Sequence, residues 1–206
     1  MATPKIQWTY DVHPSVRLMQ SMIAGMKKKT GRSVEEWIKL AEKKGSATEK
    51  ERREWLKSEH GLGTNYAGWI AERSLGKGDD GDPEKYLKQA ADFVEKMYSG
   101  PKAGLLPIYD EVLKLAKNLG NDVKVSPCQT FVPLYRKHVF AQIKPTTRIR
   151  IDLGLALNDT KVPKRLIDTG GFAKKDRITR RIEITSASDI DEEVKRWLKA
   201  AYEMDA

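Results

Sequence analysis

From Arg148 to Leu157 the chain alternates between aliphatic and other residues. Ile149, Ile151, Leu153, Leu155 and Leu157 are separated by Arg148, Arg150, Asp152, Gly154 and Ala156. A period of two places the aliphatic side chains on one face of a pleated strand and the arginines on the other. The same signal recurs at Arg177–Thr185, where Ile178, Arg180, Ile182 and Ile184 alternate with Thr179, Arg181, Glu183 and Thr185. Val123, Val125 and Thr130–Tyr135 read as an earlier strand, with Pro127 and Pro133 marking an edge or a bulge. His138–Lys144 reads as its hairpin partner, turning at Arg136-Lys137.

Elsewhere the period is helical. Val16, Met19, Ile23 and Met26 form one stripe after Pro14, and Gly31 supplies a stop. Ser33 with Glu36 and Thr48 with Glu51 are capping-box pairs, each able to satisfy free backbone N–H groups at a helix start. They open short helices carrying Trp37 and Ile38, then Trp55 and Leu56. After His60-Gly61-Leu62-Gly63, Thr64 reads as the cap of a fourth helix holding Tyr66, Ala67, Trp69 and Ile70. Beyond Pro83 comes a helix with Tyr86, Ala90, Phe93, Val94 and Met97 on one side. Another runs to Leu119, starting or kinking at Pro107. A last helix buries Ile190, Val194, Trp197, Leu198 and Ala201, with Ser188 as its cap.

Strands joined by short turns must be antiparallel. The expected fold is therefore α+β: an N-terminal four-helix domain over residues 1–78, then residues 79–206 as an antiparallel sheet of about four strands flanked by helices. The glycine-rich stretch at about 76–83 reads as the linker. The third and fourth helices, joined by a glycine turn, have the outline of a DNA-binding helix-turn-helix, but a recognition helix with one arginine is a poor match.

The segments VHPSVRLMQSMIAGMKKKTGRSVEEWIKLAEKKG and LKSEHGLGTNYAGWIAERS together resemble a small helical bacterial family of unknown function. FVPLYRKHVFAQIKPTTRIRIDLGL and RIEITSASDIDEEVKRWLKAAYE resemble a second bacterial family of unknown function, whose relatives sometimes carry the label "predicted transport protein". The resemblance covers nearly the whole chain. It implies a two-domain bacterial protein and brings with it no activity, substrate or catalytic residue.

Charge changes the picture more than size does. The 206 residues carry a formal charge of +9. Gly100–Arg181 alone holds 17 Lys and Arg against 7 Asp and Glu, a net of +10. Local cationic excess is the footprint of a polyanion partner. The candidate binding residues are Arg136, Lys137, Lys144, Arg148, Arg150, Lys164, Arg165, Lys174 and Lys175, with Lys161 in the same loop and Tyr135 and Phe140 as stacking aromatics. The expected protein is a non-enzymatic binding or accessory module for such a partner, nucleic acid foremost. The bland alternative is a sheet face whose arginines pair with Asp152 and Glu183, or cover a second subunit in a homo-oligomer.

Chemistry is weakly signalled. The sequence contains no phosphate-cradling loop, dinucleotide fingerprint or nucleophile elbow, and its three histidines are too scattered for a metal site, so no cofactor or metal is expected. The competing enzyme or small-molecule reading uses a pocket around Cys128, Tyr135 and His138, where a histidine would activate the thiol. A lone cysteine in a strand is more often a small buried apolar group. With one cysteine there is no internal disulfide, no apolar run suits a membrane span, and the N-terminus lacks the apolar core of a signal peptide. A cytoplasmic protein is expected.

Overall fold

The computed structural model describes residues 9–77, 81–158 and 163–206. It forms two compact units: Pro14–Tyr86, and residues 9–13 together with Leu87–Ala206. Part of the linker read at Gly76–Pro83, and Lys161, lie outside the described residues.

The first unit contains α1 (Pro14–Thr30), α2 (Val34–Lys44), α3 (Glu49–Ser58) and α4 (Thr64–Arg73). Both capping boxes form: Ser33 accepts from the Glu36 N–H while Glu36 accepts from the Ser33 N–H, and Thr48 and Glu51 do the same. Gly31 ends α1 at φ +81°, a left-handed conformation that costs other residues a clash at Cβ. Thr64, expected as a cap, is instead the first residue of α4, and Gly63 occupies the cap position without a side-chain bond. Met26, Trp37, Leu56, Trp69 and Ile70 form the core of this unit. Ala67, Trp69, Ile70 and Ala71 of α4 are buried, while Asn65 and Glu72 stay exposed.

The second unit is α+β, as the alternation implies. Helix α5 (Pro83–Met97) enters it, and a 3₁₀ turn at Gly100–Leu105 leads into α6 (Leu106–Lys117). Pro107 falls in the first turn of α6, where its missing N–H costs nothing, so the helix starts there and does not kink. The strands are β1 (Lys124–Val125), β2 (Val132–Tyr135), β3 (Val139–Pro145), β4 (Ile151–Leu155), β5 (Ile167–Asp168) and β6 (Arg180–Ile184). They lie in the order β1-β2-β3-β4-β6-β5, with every pairing antiparallel. A four-residue helix, α7 (Gly171–Lys174), precedes β6, and α8 (Glu192–Met204) closes the chain.

Two short strands extend the expected four. The stretch from Val123 to Tyr135 is a pair of strands and not one. Pro133 sits where the two-residue β1 has already ended, so its lack of an N–H breaks no ladder, and its carbonyl still accepts from the Ser126 N–H. The alternating strand is also shorter than its pattern. Ile149 lies in the β3–β4 turn and is 73% exposed, and Arg148 and Arg150 share that turn. Helix α8 is capped by Asp191 and not by Ser188, which belongs to a 3₁₀ turn at Ala187–Asp189.

The register makes one face apolar except at Arg180, which stands opposite Leu155, is buried, and pairs with Asp168 at 3.0 Å. Val132, Ile143, Leu153 and Ile182 stand opposite one another across four strands, as do Ile151 and Ile184, and all are fully buried with Val112, Val194 and Ala201 from α6 and α8. A bulge at Leu134/Tyr135 takes Phe140 out of the pairing and into this core, edge-on to Tyr202. Phe140 is therefore no stacking platform. The other face carries Gln142, Lys144, Asp152, Gly154, Arg181 and Glu183. A Cβ on Gly154 would come within 2.7 Å of Gln142 and Ile178, so glycine is what lets these side chains close over it.

Candidate anion-binding groove

The polar face of the sheet is occupied by its own ion pairs. Asp152 and Glu183 are register partners on β4 and β6, a juxtaposition of like charges that is unfavourable by itself. Two arginines offset it. Arg150 contacts Asp152 at 2.9 Å and Glu183 at 2.9 Å, and Arg181 contacts them at 3.2 and 2.6 Å. Asp152, its side chain only 14% exposed, sits at the centre of this network. Arg150 is thus committed to carboxylates.

Several other candidates are tied as well. Arg136 bonds Asp122 at 2.8 Å and lies over the Tyr202 ring at 4.3 Å. Arg165 holds Asp191 at 2.6 Å, Glu193 at 3.4 Å and the Asp189 carbonyl. Lys137, Lys164, Lys174 and Lys175 are exposed. Arg136 and Lys137 lie in the β2–β3 turn and Lys174 and Lys175 before β6, at the opposite end of the sheet from Lys144 and Arg148. The nine candidates do not share one site.

Two of them do come together. Lys144, near the end of β3, and Arg148, in the β3–β4 turn, line a groove of 640 Å³ with Lys96 of α5 and Lys102 of the 3₁₀ turn. Met97, Pro101 and Pro145 give it an apolar floor, and Ser99, Gln129, Thr130 and Thr146 add hydroxyl and amide groups. No carboxylate lines it among the described residues, and none of its four cations has an ion-pair partner there. The Lys102 ammonium donates to the Pro145 carbonyl at 2.6 Å, which fixes the 3₁₀ turn to the end of β3 and sets the groove's width. Unpaired ammonium and guanidinium groups around a shallow trough can take up phosphate oxygens by charge-assisted hydrogen bonds.

Lys96 and Lys102 are not among the residues expected from the sequence, because neither carries a local signal: one lies on α5 and the other follows Gly100-Pro101. Only the contact from Lys102 to Pro145, 43 residues away, unites them with β3.

The alternative pocket is also rearranged. The Tyr135 hydroxyl meets His13 Nε2 at 3.0 Å, with the rings edge to face, so the histidine beside Tyr135 comes from the segment before α1. That segment is held by a bond from the Asp11 N–H to the Val125 carbonyl and another from the Val125 N–H to the Asp11 carboxylate. His138 instead pairs with Asp205, which accepts from its backbone N–H at 2.7 Å and meets its ring Nδ1 at 3.0 Å. Burial pushes the Cys128 thiol up, which favours the protonated form and not the nucleophilic thiolate. Burial lowers His13, keeping its ring neutral.

Among the described residues no group of His, Cys, Asp and Glu is arranged to hold a metal ion, and no helix is long and apolar enough to cross a membrane. Residues 94–205 match the family described as Domain of unknown function (DUF5655), and residues 18–74 match Domain of unknown function (DUF4287). No curated protein and no solved structure matches the chain.

Proposed function

From the premise that the chain belongs to the DUF5655 family, whose description names no reaction, we propose a non-enzymatic binding or accessory module for an anionic polymer, with nucleic acid the leading partner. The binding element is the groove of Lys96, Lys102, Lys144 and Arg148. One observation carries the reading: these four cations line one groove that no carboxylate lines among the described residues, while Asp152, the register partner of Lys144, and Glu183 are engaged by the arginines of the adjacent sheet face. Sequence-independent binding of nucleic acid rests on cations that displace condensed counterions from phosphates, so it weakens steeply with salt.

The competing reading, catalysis through Cys128, Tyr135 and His138, has less support. Its thiol is held protonated by burial, and its histidine is engaged by Asp205.

Fluorescence anisotropy with mixed DNA and RNA oligonucleotides across a salt series tests the proposal. Binding is expected at about 50 mM salt and should fade by about 200 mM. No binding at the lower concentration would sink it.

A further inference from the structure

Five large hydrophobic residues are exposed among those described, and two of them, Phe172 at 46% and Met204 at 49%, line the same pocket. Isolated exposed apolar residues need no explanation, but a pair on one concavity does. The pocket has a volume of 310 Å³ and lies beyond the C-terminal end of β4, at the opposite end of that strand from the basic groove. Leu157 and Ala201 continue its apolar wall.

Its polar groups divide unequally. Asp205, with its side chain 3% exposed, has both oxygens occupied: one by the Arg177 guanidinium at 2.8 Å and the His138 ring, the other by the His138 N–H. It offers nothing further to a ligand. Asp176, also in the lining, spends one oxygen on the Ile178 N–H. Arg177 bonds through Nε and Nη2 only, leaving Nη1 as a donor, and its side chain is 47% exposed. The Lys175 ammonium is a second donor on the same wall, carried by a residue at φ +55° that turns the chain between α7 and β6. The lining thus holds two cations and two carboxylates, with Asn158 and Thr179 beside them, and both Asp205 oxygens are engaged while Arg177 Nη1 is not.

We propose that this pocket binds a small amphiphilic carboxylate, its apolar body against Phe172 and Met204 and its carboxylate on Arg177 and Lys175. Small-molecule sites are concavities of roughly 300 Å³ or more in which an apolar wall meets a few polar groups, and here polar and apolar groups share the lining about equally. Asp205 orients the guanidinium but takes its Nη2 edge and balances its charge, so Arg177 offers only Nη1, and the charge that no carboxylate among the described residues engages is that of Lys175. The inference does not depend on the groove.

Amide-resolved NMR titration of the full chain with phenylacetate, and in parallel with phenylacetamide, tests it. Saturable shifts are expected around Leu157, Phe172, Arg177 and Met204 at millimolar phenylacetate. The uncharged amide should bind about tenfold more weakly, a difference of ~1.4 kcal/mol. Phe172→Ala, which removes a half-exposed ring lying 5.4 Å from the Arg180 guanidinium, should weaken phenylacetate by a similar factor with the remaining amide shifts those of a folded chain, and Lys175→Gln should weaken it by less. Absence of saturable shifts up to ~10 mM, where even millimolar affinity would register, overturns the proposal. Equal binding of acid and amide, or wild-type binding by Phe172→Ala, does so as well.

Discussion

Two sets of cations lie close together on the C-terminal unit and differ in one respect. Arg150 and Arg181 stand where the strand register has placed Asp152 and Glu183 side by side, and each arginine bridges both acids. Lys144 and Arg148 lie on the same β3–β4 hairpin and line the groove with Lys96 and Lys102; Lys144 stands opposite Asp152 in the register but forms no ion pair with it, because Arg150 and Arg181 engage that carboxylate. Formal charge along the chain counts both sets equally. Availability to a partner is decided by which cations the carboxylates actually engage, and Asp152 engages Arg150 and Arg181 although Lys144 is its register partner on β3. A neutralised arginine contributes to the sheet, and an unpaired one projects a field into solvent.

Reversing the groove's charge is the most severe way to break this contrast. Lys144→Glu combined with Arg148→Glu should abolish oligonucleotide binding at about 50 mM salt. Both side chains are exposed, but Lys144→Glu sets a like charge opposite Asp152 and should lower thermal stability modestly, so Lys144→Gln with Arg148→Gln, which adds no acid and should also weaken binding, is the folded control.

Asp205→Asn addresses the ion pairs and is expected to act on stability and not on binding. Burial opposes ionisation of Asp205, but the His138 backbone N–H, the His138 ring and the Arg177 charge outweigh it and hold the carboxyl below the ordinary range. A group whose folded pKa is depressed adds stability that is present above its unfolded pKa, near 4, and is lost as pH falls through the folded value. The variant should lose about 1–3 kcal/mol at neutral pH in denaturant unfolding. Its deficit relative to wild type should shrink as pH drops below about 4. A deficit that grows on acidification would show that Asp205 is not stabilised in its charged form.

A subtler test converts one region into the other. Asp152→Asn with Glu183→Gln removes the acids and leaves Arg150 and Arg181 unneutralised. Oligonucleotide affinity at low salt should rise, by about threefold, as two more cations reach the partner. Unchanged affinity would mean that the open sheet face is out of reach of the bound polymer. The smallest effect is expected of Arg181→Gln, which should shift stability by no more than about 1 kcal/mol, because the pairs are partly exposed, and leave binding as it was.

Much of the architecture was legible because periodicity is local. The capping boxes at Ser33 and Thr48, the strand through Leu153 and the stripe on α8 all form where the pattern puts them. Errors gathered at turns and bulges, which break the period, and where a long-range contact decides. Ile149 continues the alternation but is lost to a turn, closed by bonds from the Thr146 and Thr147 N–H groups to the Arg150 carbonyl. Phe140 looked like a surface aromatic until a bulge turned it into the core. The site was less legible still. Lys144 and Arg148 were visible as cations, but their separation from Arg150 depends on register, and their company with Lys96 and Lys102 depends on how the 3₁₀ turn docks on β3.

The most direct test of the account compares salt dependence rather than affinity at one condition. On duplex DNA each phosphate-bound cation contributes about 0.9 to the slope of log affinity against log salt. Lys144→Ala with Arg148→Ala should lower the magnitude of that slope by about 2, whereas Arg150→Gln with Arg181→Gln should leave it unchanged. The reverse result, a slope insensitive to the groove pair and reduced by the network pair, would contradict the claim that carboxylate pairing decides which cations bind.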